Sequence, residues 1–271
     1  MAISAIGLVN ALSWKDRGSR RLVEGAPFLP AGRLKLVVYG PLTPSGPLPV
    51  IVFFYGGGWT DGERGGYEFV ARALAALGYV VVVPDYRLVP EIEYPVFLED
   101  CAAAVRFVTE NAGDWGGDTD AIVLAGHSAG AYNAAMLALK PELFEMSGLV
   151  GRLRAVAGIS GPYDFFPFDG PISQRVFGAV SEPRETQPIE FVRAGLPPFF
   201  LATGERDRLV LPRNTVALAE RLRAAGGTVS EKHYGKLEHI LPMLVLGRPL
   251  RFIAPVLSDL ERFLAAALAR S

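Results

Sequence analysis

The sequence is poor in the residues that staple small proteins or bind metals. It has one cysteine, Cys101, in 271 residues, so no disulfide can form within the chain. Cys101 follows Asp100 at what reads as a buried helix start, where a small apolar filler is the expectation. Three histidines and one cysteine argue against a zinc site of the usual ligand set, and no metal or other cofactor is expected. Charge of one sign is also lacking. Lys and Arg number 27 against 28 Asp and Glu, with no basic run, which argues against nucleic acid as a partner. No apolar run reaches the ~18–20 residues needed to span a bilayer. The mildly apolar start, Met1 to Trp14, has neither a basic beginning nor an Ala-x-Ala cleavage site and makes a poor secretory signal. It is expected to be a surface helix packed on the body. A leader remnant or a weak membrane-surface anchor stays open beside that reading. A cytoplasmic location is the expectation, and the oligomeric state is left open.

What is present is core-forming. Half the residues are hydrophobic and a fifth are charged, which leaves little room for disorder. No repeat, low-complexity tract or Gly/Ser linker divides the chain. Strand-like and helix-like stretches alternate along it. Leu34 to Tyr39, Val50 to Tyr55, Tyr79 to Val83, Ala121 to Ala125, Ala155 to Ile159, Phe199 to Thr203 and Val229 to Tyr234 read as strands. Several are continuous apolar runs, the mark of a strand buried on both faces. Phe69 to Leu77, Phe97 to Glu110, Ala129 to Leu139, Asn214 to Ala225 and Ala254 to Ala269 read as helices, with Asn214 as a plausible N-cap. Pro41 to Pro49 reads as a loop. This alternation implies βαβ units and an α/β fold with a mostly parallel sheet covered on both faces. Residues 1–33 read as an N-terminal segment packing on a catalytic body of residues 34–271. Gly161 to Leu196, irregular and rich in Pro and Phe, is a candidate small cap.

Gly126-His127-Ser128-Ala129-Gly130 is a G-x-S-x-G pentapeptide. Its context gives it meaning, because it follows a buried strand and opens an Ala-rich helix, the setting of a nucleophile elbow. The sharp turn exposes Ser128 at the strand end, and the glycines let strand and helix backbones approach. The helix N-terminus behind Ser128 favours a developing oxyanion. The competing account is a Gly-rich turn without chemistry. His127 is expected to leave the turn on the side opposite Ser128 and to be structural. Tyr55-Gly56-Gly57-Gly58-Trp59 follows the strand at Val50. No Gly-Lys-Ser/Thr comes after it, so the phosphate-loop reading fails. Paired with a downstream elbow, it reads as an oxyanion loop whose donors are the N–H groups of Gly57, Gly58 and Ala129.

These motifs, with Pro84 to Glu91, Tyr94-Pro95, Asp100 and Gly204 to Val210, resemble α/β-hydrolase-fold esterases of the His-Gly-Gly-Gly type. That group holds hormone-sensitive-lipase-like bacterial esterases, feruloyl/acetylxylan-esterase-like proteins and kynurenine formamidases. The resemblance covers roughly residues 34 to 271, and the short N-terminal part is closer to the feruloyl/acetylxylan-esterase-like branch. It implies an α/β-hydrolase fold and a network around Asp85 that supports the glycine loop. One residue departs. The family has His where this chain has Tyr55, and there the histidine supports the loop by hydrogen bonding. Tyrosine can also donate a hydrogen bond, so Tyr55 is expected to take over loop support.

The Ser…Asp…His order of this fold asks for an acid after a later strand and a histidine near the C-terminus. Asp207 fits, with Glu205 as the rival acid. His239, in a loop beyond a strand end, fits as base, whereas His233 lies inside a strand. Trp59, Tyr67, Tyr132, Phe165, Phe166 and Phe168 are candidates to line an apolar pocket, with ordinary core or lid packing as the competing account. The expected activity is a serine carboxylesterase acting on small short-chain or aromatic acyl esters through an acyl-enzyme. An arylformamidase is the nearest enzymatic alternative. A non-catalytic binding protein of the same fold is the alternative of another class.

Overall fold

The computed structural model describes residues 5–12, 15–29 and 32–269. Along the chain the elements are α1 (Ala5–Leu12), β1 (Ser19–Pro27), β2 (Lys35–Pro41), β3 (Leu48–Phe54), α2 (Glu68–Ala75), β4 (Val80–Pro84), α3 (Val96–Asn111), β5 (Gly117–His127) and α4 (Ala129–Leu139). There follow α5 (Pro141–Met146), β6 (Leu153–Ile159), α6 (Pro171–Phe177), β7 (Phe199–Gly204), α7 (Arg213–Ala224), β8 (Val229–Tyr234), α8 (Leu241–Leu244) and α9 (Val256–Leu268).

The eight strands form one sheet in the order β1-β2-β4-β3-β5-β6-β7-β8. The first two pairings, β1 with β2 and β2 with β4, are antiparallel, and the rest are parallel. The central strands are apolar throughout because both faces are covered by helices. Val80 to Val83, Ile122 to Leu124 and Phe199 to Ala202 are all buried. Burying a Val, Leu or Phe side chain in such a strand stabilises the fold by roughly 1.5–3 kcal/mol. This is the α/β-hydrolase fold.

Strand β3 is the switch point. The chain leaves it for β4 on one side, and β5 then returns to pair on the other. In this topology ligands bind beyond the carboxyl ends of the strands at the switch. Phe54 of β3 is in register with Gly126 of β5, so the segment after β3 lies beside the segment after β5. His127 in turn is in register with Ile159 of β6.

Residues Ser19–Pro27, part of the segment before the expected body, form edge strand β1 and pair along β2. Asp16 holds Arg251 with contacts of 2.6 and 2.9 Å, tying this end of the chain to the region before α9. Of the apolar start Met1 to Trp14, residues Met1 to Ser4, Ser13 and Trp14 lie outside the described residues. Helix α1 is held to the body by Asn10, which donates to the Gly65 carbonyl at 2.9 Å and accepts the Phe69 N–H at 3.1 Å. No helix among the described residues is long and apolar enough to cross a membrane.

Asn214 does not cap its helix. The N-cap position is Pro212, and the Asn214 side chain instead accepts the N–H groups of Tyr163 and Asp164, each at 2.9 Å. It thereby ties the irregular segment to α7. Gln187 does similar work by accepting the Phe165 N–H at 2.7 Å and the Phe166 N–H at 3.1 Å.

Candidate active site

Ser128 occupies the turn between β5 and α4 with φ 54° and ψ −121°. A non-glycine residue in that region is strained, and the strain is borne by the packing around it. Its N–H is held by the Ile159 carbonyl at 2.8 Å. The flanking glycines are a steric requirement. A Cβ on Gly130 would lie 2.0 Å from the Phe54 carbonyl oxygen, and one on Gly126 would lie 2.3 Å from the Gly130 backbone. Helix α4 can start this close to β3 only because both side chains are absent.

His239 lies in the loop between β8 and α8. Its Nε2 is 2.8 Å from Ser128 Oγ, and its Nδ1 is 2.7 Å from Asp207 Oδ2. The second Asp207 oxygen, Oδ1, accepts the N–H groups of Leu209 at 3.0 Å and Val210 at 2.8 Å. The carboxylate is fully buried and fixed from two sides. An Asp-bound Nδ1 carries the hydrogen, which leaves Nε2 as an acceptor for the serine proton. Glu205 is exposed, and the imidazole bonds to Asp207 instead. His233 lies on β8 and pairs with Glu231 at 2.7 Å.

The glycine loop curls over this centre. The N–H groups of Thr60 and Asp61 fold back onto the Gly57 carbonyl at 3.2 and 3.0 Å. Gly57 has φ 139°, and a Cβ there would lie 1.9 Å from the Asp61 carbonyl oxygen. The N–H groups of Gly57 and Gly58 have no backbone acceptor among the described residues. Ala129 opens α4, where an N–H has no intrahelical acceptor. Gly57, Gly58 and Ala129 line the same cavity as Ser128.

Several side chains surround the loop, and Tyr55 joins it to the segment after β4. The Tyr55 ring stacks on Tyr86 with centroids 4.5 Å apart, and its hydroxyl makes only long contacts to Tyr86, 3.4 Å to the carbonyl and 3.5 Å from the N–H. Tyr86 Oη donates to the Tyr55 carbonyl at 2.8 Å. The Tyr67 hydroxyl also bonds to the glycine loop, accepting the Gly56 N–H at 3.0 Å. Trp59, at the far end of the loop, donates from Nε1 to Asn133 Oδ1 of α4 at 3.0 Å. Asp85 pairs with Arg64 and accepts the Lys35 N–H at 3.3 Å, so it braces the start of β2 and the turn before α2. Arg87 and Asp100 form a two-pronged pair at 2.7 and 2.9 Å that fixes the segment after β4 to α3.

Beside Ser128 opens a cavity of about 530 Å³, within the usual range for small-molecule sites. Trp59, Tyr67 and Phe165 line it, together with Ile172 and Leu209, which the sequence had not singled out. Tyr132 and Phe166 do not. Tyr132 is fully buried behind the wall, edge-on to Trp59, with its hydroxyl on the Thr186 carbonyl at 2.8 Å. Phe166 is 45% exposed and packs on Phe168. Cys101 is buried in α3, beside the Asn133 amide at 3.5 Å, and burial pushes its thiol pKa up. No cluster of three or more His, Cys, Asp or Glu side chains suited to a metal occurs among the described residues.

His127 is buried beside the centre, and both its ring nitrogens face polar atoms. Burial, with the nearby His239, pushes its pKa down to about 3. It therefore stays neutral beside the ring of His239, whose centroid is 5.3 Å away.

Comparison with known proteins gives matches over most of the chain. The family model described as BD-FAE matches residues 36–222. Carboxylesterase NlhH of Mycobacterium tuberculosis is 35% identical over 211 residues, which span 70% of this chain and 66% of that protein. The chain thus covers just under two thirds of that relative's length. Esterase B from Lactobacillus rhamnosis superposes with a TM-score of 0.84 at 21% identity, covering 98% of this chain and 92% of that one. Esterase 2 of Thermogutta terrifontis gives a TM-score of 0.75 at 24% identity, covering 92% and 95%. At these identities the two structures speak for the fold.

Proposed function

The chain belongs to the BD-FAE family, and from that membership we propose that it is a serine carboxylesterase that cleaves small esters through an acyl-enzyme on Ser128. The observation that carries the proposal is the unbroken line Ser128 Oγ, His239, Asp207, with contacts of 2.8 and 2.7 Å. His239 Nε2 takes the serine proton as Oγ attacks the acyl carbonyl. Asp207 holds the tautomer and stabilises the imidazolium. The tetrahedral oxyanion is received by the N–H groups of Gly57, Gly58 and Ala129. The imidazolium then protonates the departing alcohol, and water enters with His239 again as base.

The cavity supports a small substrate with an apolar or aromatic acyl part, because aromatic and aliphatic side chains make up much of its wall. In this reading residues 161–196 form a small cap that supplies Phe165 and Ile172 to that wall. A cytoplasmic site of action belongs to the same proposal and fits a chain whose one cysteine is free and buried. Cell fractionation tests it.

The deciding experiment is a panel of p-nitrophenyl acyl esters with N-formylkynurenine alongside, run on the wild type and on Ser128→Ala. Turnover of the esters that is lost in Ser128→Ala, with a fluorophosphonate adduct on Ser128, supports the proposal. Preference for N-formylkynurenine would make the protein an arylformamidase using the same residues. An adduct on another side chain would refute the assignment of the nucleophile.

A further inference from the structure

His127 stands one residue before the nucleophile, and its ring lies between Tyr67 and the His239 loop. Its Nε2 is 3.3 Å from the backbone carbonyl of His239. A carbonyl can only accept, so Nε2 carries the ring hydrogen. Nδ1 is then an acceptor, and Tyr67 Oη, 3.2 Å away, donates to it. The same hydroxyl accepts the Gly56 N–H at 3.0 Å. Each direction follows from the one before, giving a single ordered path: Gly56 N–H to Tyr67, Tyr67 O–H to His127, His127 N–H to the carbonyl of His239. It starts at the residue before Gly57 and ends on the backbone of the base.

The surroundings leave this path no slack. A Cβ on Gly56 would lie 3.0 Å from His127 Nδ1 and 3.1 Å from Tyr67 Oη. Tyr67 and His127 are both about 2% exposed, so water does not compete for the bonds. The path also needs a neutral ring, since a protonated His127 would have two donor nitrogens and nothing to receive the Tyr67 hydroxyl. Burial keeps it neutral.

We propose that Tyr67 and His127 are positioning residues that hold the oxyanion loop and the His239 loop in one mutual geometry through this three-bond path. The proposal rests on the reading of Ser128, His239 and the glycine loop as an esterase centre. Neither residue moves a proton in the reaction. Their effect is on where the Gly57 and Gly58 donors stand relative to the base when the tetrahedral intermediate forms.

Tyr67→Phe cuts the path at its middle and keeps the ring. His127→Leu removes both ring nitrogens, so it leaves no acceptor for Tyr67 and no donor for the His239 carbonyl. Each variant is expected to lower kcat by about 10- to 10²-fold, the scale of a small misplacement of catalytic groups. KM is expected to change less than kcat, because each substitution alters only one of the many side chains that line the cavity. The double variant should lose little more than the worse single one, because both cuts break the same path. Wild-type kcat in Tyr67→Phe, or losses that multiply in the double variant, would overturn the proposal. Nitrogen-15 NMR of the wild-type imidazoles supplies a readout that needs neither folded variants nor turnover. The hydrogen of His127 is expected on Nε2, and finding it on Nδ1 would reverse the path and overturn the proposal too. A wild type that turns over no ester and takes no fluorophosphonate would instead refute the esterase reading, and the NMR result would still decide the path.

Discussion

Lowering the pH from 7 to 5 should destabilise this protein through His127 in particular, and the size of the effect follows from its burial. In the unfolded chain the ring titrates near its ordinary 6.5, whereas in the fold it is pushed down to about 3. Between those two values the unfolded state binds a proton that the native state refuses. Stability from this group is therefore complete above pH 6.5 and falls as the pH drops towards 3. At pH 5 the unfolded ring is almost fully protonated and the native ring is not, which corresponds to about 2 kcal/mol lost relative to pH 7 at 1.36 kcal/mol per pKa unit. Below pH 3 the loss levels off near ~5 kcal/mol. The assay is urea unfolding at pH 7 and pH 5 for the wild type and His127→Gln. Other titrating groups with shifted pKa values, among them Glu68, Asp85 and Glu231, are common to both proteins and cancel in the comparison. The wild type should lose about 2 kcal/mol more than the variant between the two pH values, with equal denaturant slopes. If both proteins lose the same amount, His127 is not held neutral by the fold and the reasoning fails.

The two other histidines should separate cleanly. His239→Ala is expected to lower kcat by about 10⁴-fold or more, while His233→Ala, which loses only its Glu231 contact, should leave kcat within about twofold. Steady-state kinetics on one activated ester checks both. Tyr55→Phe should cost at most about 1 kcal/mol by thermal unfolding and leave kcat nearly unchanged, since the hydroxyl contacts it removes are 3.4 and 3.5 Å long. Gly57→Ala should lower kcat by about 10²-fold, because its Cβ would meet the Asp61 carbonyl oxygen and the loop has to move. Wild-type turnover in that variant would show that the Gly57 N–H is not a donor to the intermediate.

The central strands were legible in the sequence because two-sided burial writes itself as a continuous apolar run. Val80 to Val83 is such a run, and so is Ala121 to Ala125 before the elbow. Helix α4 was readable to the residue, bounded by the elbow at one end and Lys140-Pro141 at the other. Strand β1 was not, since an edge strand has one neighbour and its residues Arg20, Arg21 and Glu24 face solvent at least in part. The turn signal at Asn214 was real, but two backbone N–H groups of the irregular segment claim its side chain. For the centre itself, motif and chain order pointed to the residues that the fold brings within hydrogen-bond reach. The aromatic residues were harder, because proximity in sequence does not say which way a ring faces. Tyr132 lies four residues from Ser128 yet points into the core. The bond from Gly56 to Tyr67 had no sequence signature, because it depends on where the turn before α2 folds back.

The Ser128–His239 contact joins residues 111 apart in sequence, and the His239–Asp207 contact joins residues 32 apart. Each of these residues stands beyond the end of a different strand, and those strands run parallel in one sheet, an arrangement that demands long chain closure before any reward. No hairpin or single helix can assemble the centre ahead of the sheet. Recovery of ester turnover after dilution from denaturant is therefore expected to lag behind recovery of helical signal. The lag would measure how long β7 and β8 take to dock beside the half of the sheet that carries the nucleophile.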